Sequence, residues 1–115
     1  MKTKDAVVAL GALAQETRLD IYRLLVQAGE EGLVVGKIAE QLGVEPNGRL
    51  SFHLKELVNS GLATARPEGR FIYYAASYPT MNALLAFLTD NCCGGEACGD
   101  KLPVCAPAAM HSPLS

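Results

Sequence analysis

The chain has 115 residues, half of them apolar, with 10 basic and 12 acidic side chains and a formal charge of −2. That length allows one domain. No apolar run reaches the roughly 20 residues of a membrane-spanning helix, and Met1-Lys2-Thr3-Lys4-Asp5 lacks the apolar stretch of a secretion signal. The expectation is a cytoplasmic protein whose four cysteines stay reduced, for metal or redox chemistry rather than a disulfide framework.

Apolar residues at Val7, Val8, Leu10, Ala12, Leu13 and Ala14 predict a first helix from about Lys4 to Ala14. Thr17 is the expected N-cap of a second helix, in which Leu19, Ile21, Tyr22, Leu24, Leu25 and Val26 recur at helical spacing up to Ala28-Gly29. Glu30-Glu31-Gly32 reads as a loop. Val35, Ile38, Ala39 and Leu42 mark a short third helix stopped by Gly43.

Pro46-Asn47-Gly48 is a turn signal. After it Leu50, Leu54, Leu57 and Val58 form the stripe of a fourth helix packed on a core, closed by Ser60-Gly61. Leu62 to Arg66 and Arg70 to Tyr74 flank Pro67-Glu68-Gly69 and predict a β-hairpin. A last helix is expected from Pro79 or Thr80 to Asn91, with Met81, Leu84, Leu85, Phe87 and Leu88 apolar. Beyond Gly99 the Pro, Ala and Ser content predicts a mobile tail.

This order, α-α-α-α-β-β-α, is mainly α with a β-hairpin wing (α+β): a winged helix-turn-helix occupying residues 1–93, with a cysteine-bearing tail over 94–115. In such a fold the second helix of the motif enters the major groove of double-stranded DNA. The charge agrees locally. Residues 47–75 carry Arg49, Lys55, Arg66 and Arg70 against Glu56 and Glu68, while both flanking segments are net acidic. So confined a basic surface predicts modest non-specific affinity and reliance on specific contacts.

Arg49 reads as a bidentate partner for guanine or as a solvated surface charge, and Asn47 as a partner for adenine if it points inward. Ser51 reads as a contact to a base or phosphate, and Phe52 as a thymine-methyl contact or a ring partly buried under the wing. His53 borders the core stripe and reads equally as a DNA contact or as a hydrogen-bonded structural residue. Lys55 reads as a phosphate contact or a surface charge. Arg66 and Arg70 on the wing would meet phosphate or the minor groove.

Ile38-Ala39-Glu40-Gln41-Leu42-Gly43-Val44 followed by Leu50-Ser51-Phe52-His53-Leu54-Lys55-Glu56-Leu57 closely resembles the ArsR/SmtB family of metalloregulatory repressors. Gly61-Leu62 and the wing Glu68-Gly69-Arg70-Phe71-Ile72-Tyr73-Tyr74 do so too, and the likeness spans about residues 5–93. The turn Val44 to Arg49 is one residue longer than the family's usual turn. The resemblance implies that Ser51 and His53 lie on the DNA-facing helix. It also implies a homodimer built by the first and last helices, with Val8, Leu10, Leu84, Leu85 and Leu88 as candidate contacts, that lets go of its operator when an inducer binds.

The remaining chemistry is sulfur. Cys92, Cys93 and Cys98 fall within seven residues, with Cys92-Cys93 expected in the last turn of the final helix and Gly94-Gly95 able to reverse the backbone. Soft thiolates select zinc, cadmium, copper(I) and thiophilic metalloids. Three sulfurs without a nearby histidine suit the pyramid of trivalent arsenic (arsenite) or antimony (antimonite). Zinc would prefer a fourth ligand, which Cys105 could supply.

The third helix has no cysteine and the last offers only Asp90. The hook therefore resembles that of arsenite-responsive members with ligands at the C-terminal end of the last helix. Zinc or cadmium sensing and reversible thiol oxidation through the same cysteines stay open as alternatives, as does a tail that binds nothing. An enzyme is not expected: there is no catalytic constellation or phosphate loop, and His53 and His111 lie away from the cysteines.

Overall fold

The computed structural model describes residues 1–91. Among them the elements follow as α1 (Thr3–Leu13), α2 (Glu16–Ala28), β1 (Leu33–Val34), α3 (Val35–Leu42), α4 (Gly48–Asn59), β2 (Ala63–Glu68), β3 (Phe71–Ala76) and α5 (Tyr78–Leu88). The predicted order holds, with one addition. β1 is a two-residue strand, too short for any periodicity to announce. It pairs antiparallel with β3, Leu33 opposite Tyr74 and Val34 opposite Tyr73, giving a three-stranded sheet in the order β1-β3-β2.

α1 buries only alanines, Ala6, Ala9 and Ala12, at a spacing of three. Small side chains let it lie close on the core, and its larger apolar residues Val7, Val8 and Leu10 face outward. α2 starts two residues earlier than the sequence suggests. Its cap is Gln15, whose Oε1 accepts from the Arg18 amide at 2.8 Å, and Thr17 sits inside the first turn. Ile21, Tyr22 and Leu25 form its buried face.

The hairpin turns at Gly69-Arg70, not at Pro67-Glu68-Gly69. Glu68 pairs with Phe71 and Pro67 with Ile72, so both are strand residues. Pro67 is tolerated because β2 is an edge strand, where a missing N–H breaks no ladder. Gly69, at φ 62°, takes the first of the two loop positions, which in a tight hairpin favours glycine.

The six largest fully buried side chains are Ile21, Leu25, Ile38, Leu54, Leu57 and Leu62, so α2, α3, α4 and the entry to β2 share one core. Each contributes about 1.5–3 kcal/mol of transfer free energy. Leu84 of α5 is only 6% exposed and belongs to this core, which removes it from the expected dimer contacts. Val8, Leu10, Leu85 and Leu88 remain 42–54% exposed.

α5 is capped by Ser77, whose hydroxyl accepts from the Thr80 amide, and Pro79 fits its first turn. It ends at Leu88 rather than Asn91. The Thr89 hydroxyl donates to the Leu85 carbonyl at 2.8 Å, and Asn91 has φ 57°, which no α-helix continues. Cys92, Cys93, Cys98, Cys105 and the expected tail over 94–115 all lie outside the described residues.

Candidate nucleic-acid interface

Gly43 ends α3 in the left-handed conformation, and Val44 donates back to the Ala39 carbonyl at 3.0 Å. Five residues separate Leu42 from Gly48, where the chain re-enters helix. Asn47 makes that restart. Its Oδ1 accepts from the amides of Arg49 and Leu50 at 3.0 and 3.3 Å, pairing two donors that a helix start leaves free. With its oxygen committed to the cap, Asn47 cannot also offer adenine the two-bond pairing expected from the sequence.

From that cap α4 buries Leu50, His53, Leu54 and Leu57, a stripe at i, i+3, i+4 and i+7. Arg49, Ser51, Phe52 and Lys55 are exposed, and Glu56 is half-buried. Phe52 is 54% exposed, which leaves its ring open to an apolar contact such as a thymine methyl. Its ring stands 5.9 Å from that of His53, tilted by 58°. The exposed residues form one strip along the helix, with the two cations near its start and middle.

His53 is the residue the structure reassigns. It is 8% exposed and turned inward, where its Nδ1 accepts from Nε of Arg18 at 3.3 Å. Burial lowers its pKa below the ordinary 6.5, and the charges of Arg18 and Arg49 lower it further. Of the two readings its sequence position allows, the hydrogen-bonded structural one describes its geometry. Arg18 carries no signal in the sequence, because the two residues are 35 apart along the chain.

On the wing, Arg70 occupies the exposed turn between β2 and β3. Arg66 is engaged within the protein. Its guanidinium donates to Glu68 Oε2 at 3.0 Å and to the Glu31 carbonyl at 3.1 Å, and lies 5.1 Å from the centre of the Tyr73 ring. Two hydrogen bonds and a cation–π contact brace the wing against the loop before β1, leaving Arg66 less free to reach phosphate. Arg49, Lys55 and Arg70 have no ion-pair partner among the described residues. Arg49, Ser51, Phe52 and Lys55 on α4, and Arg70 at the turn of the wing, are the exposed side chains that such a fold could offer to DNA.

No group of three or more His, Cys, Asp or Glu side chains able to hold a metal occurs among the described residues. No described helix is long and apolar enough to cross a membrane.

A helix-turn-helix domain family matches residues 13–66. The nodulation protein NolR of Rhizobium meliloti is 34% identical over 92 residues, 77% of this chain and 72% of its own. A putative arsenical resistance operon repressor, ArsR, of Halobacterium salinarum is 41% identical over 68 residues, 59% of this chain and 51% of its own. Among solved structures, a homodimeric winged helix-turn-helix DNA-binding domain from Mycobacterium bovis, described as a possible ArsR-family transcriptional regulator, superposes with a TM-score of 0.61. It is 28% identical, covering 82% of this chain and 86% of that one.

Proposed function

Because this chain belongs to the ArsR/SmtB family of DNA-binding winged helix-turn-helix regulators, we propose that it is an operator-bound repressor released by trivalent arsenic. The inducer is arsenite, or antimonite by the same chemistry, held by Cys92, Cys93 and Cys98. The observation that carries this reading is the donor set: three thiols within seven residues, beginning directly after the segment that follows α5. Such a set matches a three-coordinate, sulfur-seeking ion and offers nothing to a hard cation. The arsenical-resistance name of one relative agrees with it, and the nodulation name of another marks how far signals vary within one fold.

The protein works as a homodimer. Exposed Val7, Val8 and Leu10 on α1, with Leu85 and Leu88 on α5, supply an apolar surface for a second copy. Two-fold pairing presents two α4 helices to half-sites about one helical turn apart, roughly 34 Å. Arg49 and Ser51 enter the groove first, Phe52 meets thymine methyls, and Lys55 and Arg70 hold phosphates.

Closing the thiols on arsenite re-orders the chain just beyond α5, an element that shares its core with α4 and its exposed face with the partner. The coupling expected of such a switch, about 1–3 kcal/mol, lowers operator affinity about 5- to 150-fold. Binding displaces thiol protons, so induction weakens on acidification.

Operator release under reducing conditions tests the reading, with arsenite, antimonite, cadmium and zinc titrated against the protein–DNA complex. Arsenite and antimonite should release the wild-type protein. Cys92→Ser, Cys93→Ser and Cys98→Ser should bind DNA normally and stay bound. Release by zinc or cadmium alone, with Cys105 required, would replace the pyramidal site by a four-sulfur one. Release of all three variants by arsenite would reject the thiol site.

A further inference from the structure

Arg18 makes a three-way junction that neither the cysteine site nor the DNA-facing strip uses. Its own amide is capped by Gln15 at the start of α2. Its Nε donates to His53 Nδ1, on the inner face of α4, at 3.3 Å, and its Nη1 to the Ala12 carbonyl at 3.5 Å. Ala12 lies in the last turn of α1, where carbonyls have no partner within the helix. One planar guanidinium, with its donors in a rigid fork, thus spans the end of α1, the beginning of α2 and the middle of α4.

The junction also fixes the imidazole. A ring that accepts on Nδ1 carries its proton on Nε2 when neutral. Tyr22 Oη is the only buried side-chain nitrogen or oxygen without a partner among the described residues, so the unpartnered His53 Nε2 keeps some solvent contact. His53 lines a cavity of about 270 Å³ that it shares with Asn47, Arg49 and Thr17 at the head of α4. The strut therefore grips α4 about one turn behind the part that would enter a groove first.

We propose that Arg18 is a positioning residue for operator binding. By gripping the end of α1 and His53 together, it sets the angle between α4 and the helix whose outer face, Val7, Val8 and Leu10, a second subunit would cover. The two recognition helices of a dimer then keep one spacing because each is tied to its own α1. An ångström of slip between α1 and α4 breaks one arm of the fork. This role rests on DNA binding by the family fold and is independent of what the cysteines sense.

The test uses the full chain and the tightest duplex it selects from a random pool, with a scrambled duplex as control. Arg18→Met, which keeps the aliphatic stem, His53→Phe and the double variant are compared by fluorescence anisotropy. Each single change should lower affinity for the selected duplex about tenfold, with the scrambled duplex within about twofold. The double variant should be no weaker than the weaker single variant, since either change removes the same tie.

Selected-duplex affinity unchanged in Arg18→Met, or single losses that simply add, would overturn the proposal. The wild-type protein gives a second check that no folding defect can confound. Long-range proton–nitrogen correlation spectra near neutral pH should show His53 with Nδ1 bare and Nε2 protonated. A proton on Nδ1 would leave Arg18 nothing to donate to, and the proposal would fall.

Discussion

The Tyr78 hydroxyl donates to the Val26 carbonyl at 2.7 Å, joining the first residue of α5 to the last turn of α2 across 52 positions of sequence. Val26 is one of the carbonyls that α2 cannot pair within itself, and the bond is partly buried. Tyr78→Phe should therefore cost about 1 kcal/mol in urea unfolding, with the slope of the transition unchanged. A variant as stable as the parent would mean that water replaces the hydroxyl without loss.

Asn47 sets where the recognition helix begins. Asn47→Ala should lower stability by about 1 kcal/mol, whereas Asn47→Ser and Asn47→Asp keep a capping oxygen and should stay near wild type. DNA binding separates the last two. The serine variant should bind the operator normally, but the aspartate places a carboxylate beside phosphates and should bind markedly more weakly. Equal DNA affinity for both would show that residue 47 stands clear of the duplex.

Acid should destabilise the fold through His53. Its folded pKa lies below the ordinary 6.5, so the native state favours the neutral ring and holds fewer protons than the unfolded chain. The associated stability is fully present above 6.5 and is lost as pH falls from there through the folded value. Comparing unfolding midpoints at about pH 7.5 and about pH 5.5, wild type should lose more than His53→Gln. Parallel losses would assign the acid sensitivity to other groups.

Two glycines near the sheet should respond in opposite directions to alanine. Gly32 has φ 77°, and a Cβ there would run into the Tyr74 carbonyl of β3. Gly36 lies in α3 with open space around it. Gly32→Ala should cost about 2 kcal/mol or more; Gly36→Ala should gain about 0.5–1 kcal/mol from helix propensity. Thermal unfolding decides, and a Gly32→Ala variant as stable as the parent would refute the assignment of strain to Gly32.

Elements with a repeating apolar stripe are legible in the sequence itself. Leu50, Leu54 and Leu57 locate α4, and Val35, Ile38, Ala39 and Leu42 locate α3. What periodicity cannot supply is decided by contacts distant in sequence. β1 exists because β3 lies beside it. Leu84 and its neighbour Leu85 read alike, and only packing sends the first inward and leaves the second 42% exposed. His53 is ambiguous along the chain because its partner, Arg18, is on another helix. The cap of α2 is local yet still escapes the usual rule, since Gln15 is long enough to do what a threonine at position 17 is expected to do. The sulfur site is read from sequence, as Cys92, Cys93 and Cys98 lie outside the described residues.

X-ray absorption at the arsenic edge, on the full-length protein loaded with arsenite under reducing conditions, tests the sulfur site most directly. Three sulfur neighbours in the inner shell, lost in part when any of Cys92, Cys93 or Cys98 is changed to serine, are the predicted result. Oxygen or nitrogen in that shell, or a sulfur count indifferent to those substitutions, would contradict it.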